Sequence, residues 1–359
     1  MRKIGLDVLR GLAIILVLFR HSDLSNNILK DFGWLGVDLF FVLSGFLISN
    51  LLFTEYRKNG EFEIKQFLIK RGFKIFPPFY FFIFITLLYH LFFKQDSTIE
   101  YQKLLSELLY LQSYISGIWL HTWTLAVEEH FYLLFSVILF FSTRKHLLEK
   151  KIIVIGTLIS LMIVSLTLRF HISYPHRNDD FFGFTQTHLR SDGILIGILI
   201  SYLLNFIKTT HLLLQRKWIP FCISIVLIAP GFYFKGGGFF MNTIGLTLTN
   251  IGFSILVLLV LDIDNFVRTS LPTLAKRGLN FLSFIGINSY SIYLWHLNSK
   301  SVTNLLFTFD PSLNTLIYIT ISIISGVIMS YLIEKPSIII RNRFLQRNIK
   351  RTTNKHCKQ

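Results

Sequence analysis

Apolar residues run through this chain in blocks, each separated from the next by a short polar stretch. The blocks fall at roughly 4–22, 34–53, 75–93, 123–141, 152–170, 189–207, 218–234, 239–261, 281–298 and 313–333. A helix rises about 1.5 Å per residue, so about 20 apolar residues cover the roughly 30 Å hydrocarbon layer of a bilayer. The pattern predicts an all-α, polytopic membrane bundle of ten transmembrane helices. Gly, Pro and Asn interrupt several blocks, which membrane helices tolerate. No internal repeat, low-complexity run or appended soluble domain breaks the series. Residues 1–340 read as one membrane domain and 341–359 as a basic cytoplasmic tail.

Charge tests this map. Only 16% of the residues are charged and 52% are hydrophobic, against about 25% charged in a soluble domain. The formal net charge is nevertheless +16. Most of the 36 lysines and arginines fall at 2–3, 57–74, 144–151, 208–217, 268–277 and 335–358, in alternate connections. The other connections and span edges hold only Lys30, Lys94, Lys103, Arg169, Arg177, Arg190, Lys235 and Lys300. Basic residues accumulate on the cytoplasmic side, so both termini are expected there. The same charges meet anionic membrane lipids, and no nucleic acid is needed to account for them. The start, Met1-Arg2-Lys3 before an apolar run, lacks a small-residue cleavage site and reads as an uncleaved first span. The two cysteines, Cys222 and Cys357, form neither a metal set nor a disulfide framework.

The first block carries Asp7, Arg10, Arg20 and His21. Ionisable residues at the centre of a span cost roughly 2.5–3.5 kcal/mol each on insertion scales and usually face the protein interior. Arg10 and His21 lie eleven residues apart, about 20° past three full turns, so they share one helix face about 16 Å apart. That spacing suits two groups at different depths of one path. A signal-anchor helix with structurally paired polar residues is the competing reading.

Placed on the ten spans, the remaining polar residues form two groups. Towards the outer face fall His21, Asp38, Trp123, Glu128, Glu129, Arg190, Asp192 and His296. A histidine beside carboxylates suits acid–base work, with His21 as base and Glu128 or Glu129 orienting its ring. Towards the inner face fall Arg10, Arg71, Lys74 and Glu334, and cations there suit a phosphate-bearing ligand. Each has a plainer reading. Asp38 equally suits a buried ion pair with an arginine. Arg71 and Lys74, at i,i+3 before Pro77-Pro78, equally suit a positive-inside anchor. Gly36, Gly45 and Ser44 read as packing. Arg190 and Asp192 open the sixth span. Tyr290 and His296 line the site or belong to an interfacial aromatic belt.

At these residues the chain resembles the acyltransferase-3 family of integral-membrane O-acyltransferases, which includes O-antigen and peptidoglycan acetylases. The resemblance rests on order and spacing: Arg10 with His21, the segments 36–46, 123–135, 190–197 and 289–296, the basic pair before proline, and Glu334-Lys335-Pro336. It implies O-acetylation from cytoplasmic acetyl-CoA to a hydroxyl of a glycan or lipid-linked glycan at the outer face. It carries over Arg10, His21 and Glu128 as essential residues and Arg71 as first of the basic pair. The second of that pair is usually arginine; Lys74 lacks the bidentate fork. Some members carry a further extracytoplasmic hydrolase-like domain. None is read between 1 and 359, so delivery is expected to be direct or through a separate polysaccharide-assembly partner.

The reading is thus a membrane acyltransferase of a bacterial inner membrane. Arg71, Lys74 and Arg10 hold acetyl-CoA. His21, Arg10, Glu128 and Glu129 carry the chemistry, and Asp38, Trp123, Arg190, Asp192, Tyr290 and His296 the acceptor, with no metal. His21 acts as general base or as an acyl-accepting nucleophile. The rivals are a transporter or flippase for a lipid-linked glycan, whose intramembrane Glu and His would relay protons, and a non-catalytic assembly scaffold.

Overall fold

The computed structural model describes residues 3–24, 28–93, 100–144, 146–175, 184–207, 216–234, 236–261, 267, 269 and 271–356. Met1, Arg2, Lys94, Arg177, Lys235 and Cys357 lie outside the described residues. Among these residues every regular element is helical. Six stretches are long and apolar enough to cross a membrane: Ile28–Asn59, Ile64–Phe92, Trp123–Ser142, Lys151–Ser173, Met241–Val260 and Pro311–Arg347. Asp192–Ile207 and Trp218–Tyr233 are shorter apolar helices.

The helices are α1 (Ile4–Arg20), α2 (Ile28–Phe32), α3 (Leu35–Asn59), α4 (Ile64–Phe93), α5 (Tyr101–Leu108), α6 (Trp123–Arg144), α7 (Lys151–Ser173) and α8 (Thr187–Arg190). They continue with α9 (Asp192–Tyr202), α10 (Trp218–Ile228), α11 (Pro230–Tyr233), α12 (Leu246–Val260), α13 (Thr273–Ile287), α14 (Ser289–Leu306), α15 (Pro311–Met329) and α16 (Lys335–His356). The polar-bearing first helix is central: α1 packs against α13 and α3, α3 packs against α9, and α14 pairs with α15.

Small residues make these crossings close. In lipid, association relies on van der Waals fit between backbones. A Cβ added to Gly11 or Gly286 would strike the backbone oxygen of Leu282 or Asp7, where α1 crosses α13. One added to Gly45 or Gly197 would strike that of Ile194 or Val42, where α3 crosses α9. Gly36 meets the Ala13 carbonyl on α1 in the same way. These contacts fix α1 and α3, which carry Arg10, His21 and Asp38.

The structure corrects three boundaries. No break follows Lys74, because α4 runs from Ile64 through Pro77 and Pro78. Pro77 has no N–H to give the Phe73 carbonyl; the Ser337 hydroxyl of α16 donates to that oxygen instead. The block 281–298 is two helices, parted at Asn288 (φ −99°, ψ 8°), whose Nδ2 donates to the Phe284 carbonyl at 2.8 Å. The last block extends through a π-helical turn, Ser330–Glu334, into α16. There the buried Glu334 accepts from Ser291 Oγ at 2.8 Å, tying the π-helical turn to α14.

One buried acid lies outside the spans. Glu107, near the end of α5, is fully buried and accepts from Trp119 N–H at 3.1 Å and Thr122 Oγ at 2.8 Å. It ties down the connection that delivers His121 and Trp123 to the start of α6.

Candidate active site

Two cavities lie along α1. The first, about 70 Å³, is lined by Arg10, Ser44, Arg71, Lys74, Glu128 and Tyr290 among others. Its charges are ordered by hydrogen bonds. Arg71 Nη2 donates to Glu128 Oε2 at 3.1 Å and to the Tyr132 hydroxyl at 2.6 Å. Tyr132 donates to the same carboxylate oxygen at 2.8 Å, and Ser44 Oγ donates to the other at 2.7 Å. Glu129 is buried, with Oε1 at 3.9 Å from Arg71 Nε. Tyr290 donates to the Ile75 carbonyl at 2.9 Å and joins α14 to α4. Among the described residues the Arg10 side chain makes no direct hydrogen bond or close ion pair, although Glu128 lines the same cavity. The cavity thus presents a cation without a fixed anionic partner.

The second cavity, about 260 Å³, is lined by Arg20, His21, Trp34, His121, Trp123 and Arg190, with Leu120, Phe184, Gly236 and Gly237 from the connecting segments. His21 follows the last residue of α1. Its backbone carbonyl accepts from Lys300 Nζ, and Lys300 also reaches Asp23 at 2.9 Å. A cation here complements the negative end of the helix. The His21 ring lies 5.0 Å, centroid to centroid, from His296, which lies 5.0 Å from His121. His296 Nδ1 contacts the Tyr293 carbonyl at 2.6 Å and His121 Nε2 the Leu294 carbonyl at 3.1 Å, so each ring keeps one nitrogen unpartnered.

Arg190 is held by Asp38, Nη2 to Oδ1 at 2.8 Å, and its guanidinium lies 5.4 Å from the Trp123 ring centroid. Asp192 does not line this cavity. It pairs with Arg169 at 2.8 Å, and Thr247 donates to the same oxygen at 3.1 Å. Asp38 is likewise behind Arg190, as the ion-pair reading anticipated.

The structure brings together Arg10, Arg71, Lys74, Glu128 and Tyr290 at one site, and His21, Trp123, Arg190 and His296 at the other. This corrects the expected depth of two groups. Glu128 and Glu129 face Arg71, and neither hydrogen-bonds to His21. A carboxylate in a low-dielectric interior takes the nearest cation, and α4 supplies one. Tyr290 stands on the Arg10 side, away from His21. Ser44, read as packing, belongs to the site, and so do Tyr132, His121, Tyr293 and Lys300, which were not among the expected site residues. Most of their partners lie in other helices, the bond from Tyr132 to Glu128 at i,i+4 being the local exception. Among the described residues no group of His, Cys, Asp and Glu is arranged to hold a metal ion.

Comparison with known proteins gives the family of the chain. A family model described as an acyltransferase domain matches residues 3–335. O-acetyltransferase OatA of Staphylococcus aureus (strain NCTC 8325 / PS 47) is 28% identical over 322 residues, covering 81% of this chain and 49% of the relative. The putative O-acetyltransferase SACOL0978 of S. aureus (strain COL) is 28% identical over 362 residues, covering 92% and 56%. The chain thus spans about half the length of these relatives. No solved structure matches. With its apolar helices and a match across nearly its whole length, the chain is an integral membrane protein of the acyltransferase-3 family.

Proposed function

We propose that this chain moves an acetyl group from acetyl-CoA to a hydroxyl of a cell-surface glycan or lipid-linked glycan. In this reading it crosses a bacterial cytoplasmic membrane ten times with both termini inside, and residues 341–359 form a basic cytoplasmic tail. The Arg10 cavity then lies towards the cytoplasm and the His21 cavity towards the outside.

The observation that carries the reading is the pair of cavities joined by one helix face. Arg10, without a fixed anionic partner, and Lys74 meet the phosphates of CoA. Arg71 adds charge but is held by Glu128 and Tyr132, so it fixes the shape of the cavity as much as it binds. The extended arm of the donor carries its thioester along α1 towards His21. The relatives named above as O-acetyltransferases support an acetyl cargo.

At His21 the acceptor hydroxyl gives its proton to the imidazole as its oxygen bonds to the acetyl carbon. The carbon–sulfur bond breaks, and the CoA thiolate leaves with the proton that His21 returns. Arg190 and Trp123 offer the sugar a donor fork and an aromatic face. His296 and Lys300 hold the His21 ring and backbone in place.

The test is mass spectrometry of envelope glycans from cells with the chain, without it, and with His21→Ala. The expected result is loss of one acetyl mass from one glycan in the last two. Unchanged glycan mass with altered amounts of polymer would replace this reading with transport or assembly.

A further inference from the structure

Val37 and Tyr293 line both cavities. The Tyr293 hydroxyl is tied on both sides of that boundary. Thr124, a wall of the Arg10 cavity, donates to it at 2.8 Å. It donates in turn to the main-chain oxygen of His121, a wall of the His21 cavity, at 2.7 Å. The other residue common to both linings is Val37, a β-branched side chain with little rotamer freedom. It projects from α3, whose backbone is pinned against α1 at Gly36 and against α9 at Gly45. Neither wall gives easily. One is a stiff residue on a packed helix; the other is a ring bonded through its hydroxyl at two points.

We infer that Tyr293 and Val37 are the size filter for the acyl group. The donor's acyl end passes between them to reach His21, and only a small acyl group passes while Tyr293 keeps its two bonds. This rests on the donor and acceptor sides assigned under Proposed function. The filter has a second consequence. While Tyr293 stays bonded, it limits entry of water from the His21 cavity to a thioester waiting on the Arg10 side.

The experiment uses the purified full chain in lipid nanodiscs. Acetyl-, propionyl- and butyryl-CoA are supplied with envelope glycan extracted from cells lacking the chain. The readout is the ratio of kcat/KM for acetyl over butyryl transfer, which a general loss of activity does not move. Wild type should favour acetyl at least tenfold. Val37→Ala, which widens the passage from α3, should shrink the ratio at least fivefold. Tyr293→Phe, which keeps the ring and removes both hydroxyl bonds, should shrink it too. Tyr293→Phe should also raise CoA release in the absence of glycan, as water attacks the thioester carbonyl to give acetate and free thiol. A wild type that transfers acetyl, with the ratio unchanged in both variants, would overturn the filter and leave the acetyl-transfer reading standing. A wild type that transfers no acyl group from any of the three donors would overturn that reading and the filter with it.

Discussion

Arg71 and Glu128, on different helices, meet at 3.1 Å, and Tyr132 bridges them by bonding to both. Breaking a fully buried ion pair by removing one partner costs about 3–5 kcal/mol, because the other charge stays buried and uncompensated. Here both side chains also line a cavity, so the cost is lower. Glu128→Gln should lower the melting temperature of the detergent-solubilised protein and weaken acetyl-CoA binding by at least tenfold as Arg71 swings from its place. Tyr132→Phe leaves the charge pair in place and removes hydrogen bonds to charged groups, which should cost about 1.5–3 kcal/mol. Thermal unfolding and calorimetric titration of the two variants check the order. Equal effects would mean that the hydroxyl, not the charge pair, fixes Arg71.

Arg10 gives the opposite expectation for stability. Its side chain makes no direct hydrogen bond or close ion pair among the described residues, so Arg10→Met breaks no direct contact to a carboxylate. A cation in a low-dielectric site without a partner is itself costly, and a neutral side chain of similar length relieves that cost. The variant should melt no lower than wild type and yet lose at least tenfold in acetyl-CoA affinity. Loss of stability together with binding would show that Arg10 is a structural charge.

The contrast between these residues also shows what the sequence made legible. Arg10 lies on α1 and His21 just past its end, so the helical period alone was enough to expect them on one side at different depths. Gly36 and Gly45 were readable as close-packing positions for the same local reason. The Arg71–Glu128 pair joins residues 57 apart in the chain, and its depth depended on where α4 starts. Pro77-Pro78 argued for a break there. The break is absent because Ser337, far along the chain, satisfies the Phe73 carbonyl. Ser44, Thr124 and Tyr293 carry no sequence signal, since an isolated hydroxyl in an apolar block has its meaning only through the helix opposite.

Asp38 and Arg190 form a buried pair whose arginine faces the His21 cavity. Asp38→Asn keeps the shape and removes the charge, which frees the guanidinium to turn towards a ligand or into solvent. The expected outcome is a raised KM for the glycan acceptor with the KM for acetyl-CoA unchanged. The double variant Asp38→Asn with Arg190→Gln should recover part of the lost stability, because no lone charge remains. Steady-state kinetics with each substrate varied in turn separates the two sides. An effect confined to the acetyl-CoA KM would move Arg190 to the donor site.

Glu107 sets a pH dependence that is separate from the chemistry. Burial pushes its carboxyl up to about 7, while the bonds from Thr122 and Trp119 partly oppose that rise. Its Oε2 has no partner, as suits a protonated acid. The folded state therefore holds this proton more tightly than the unfolded chain, whose carboxyl titrates near the usual 4.5. The stabilisation is fully present below that ordinary value. It is lost progressively as the pH rises from about 4.5 to about 7, where the folded group ionises. Over that window the change is on the order of 3 kcal/mol, since each tenfold difference in proton affinity between the folded and unfolded chain is worth about 1.4 kcal/mol. Glu107→Gln, which keeps both hydrogen bonds and cannot ionise, should flatten the fall in melting temperature between pH 5 and pH 8. The connection it anchors leads into His121 and Trp123, so wild-type proteolysis near residues 109–122 should also rise with pH in that interval and stay constant in the variant. A wild-type melting temperature that rises across the same interval would reverse the sign and remove Glu107 as the titrating group.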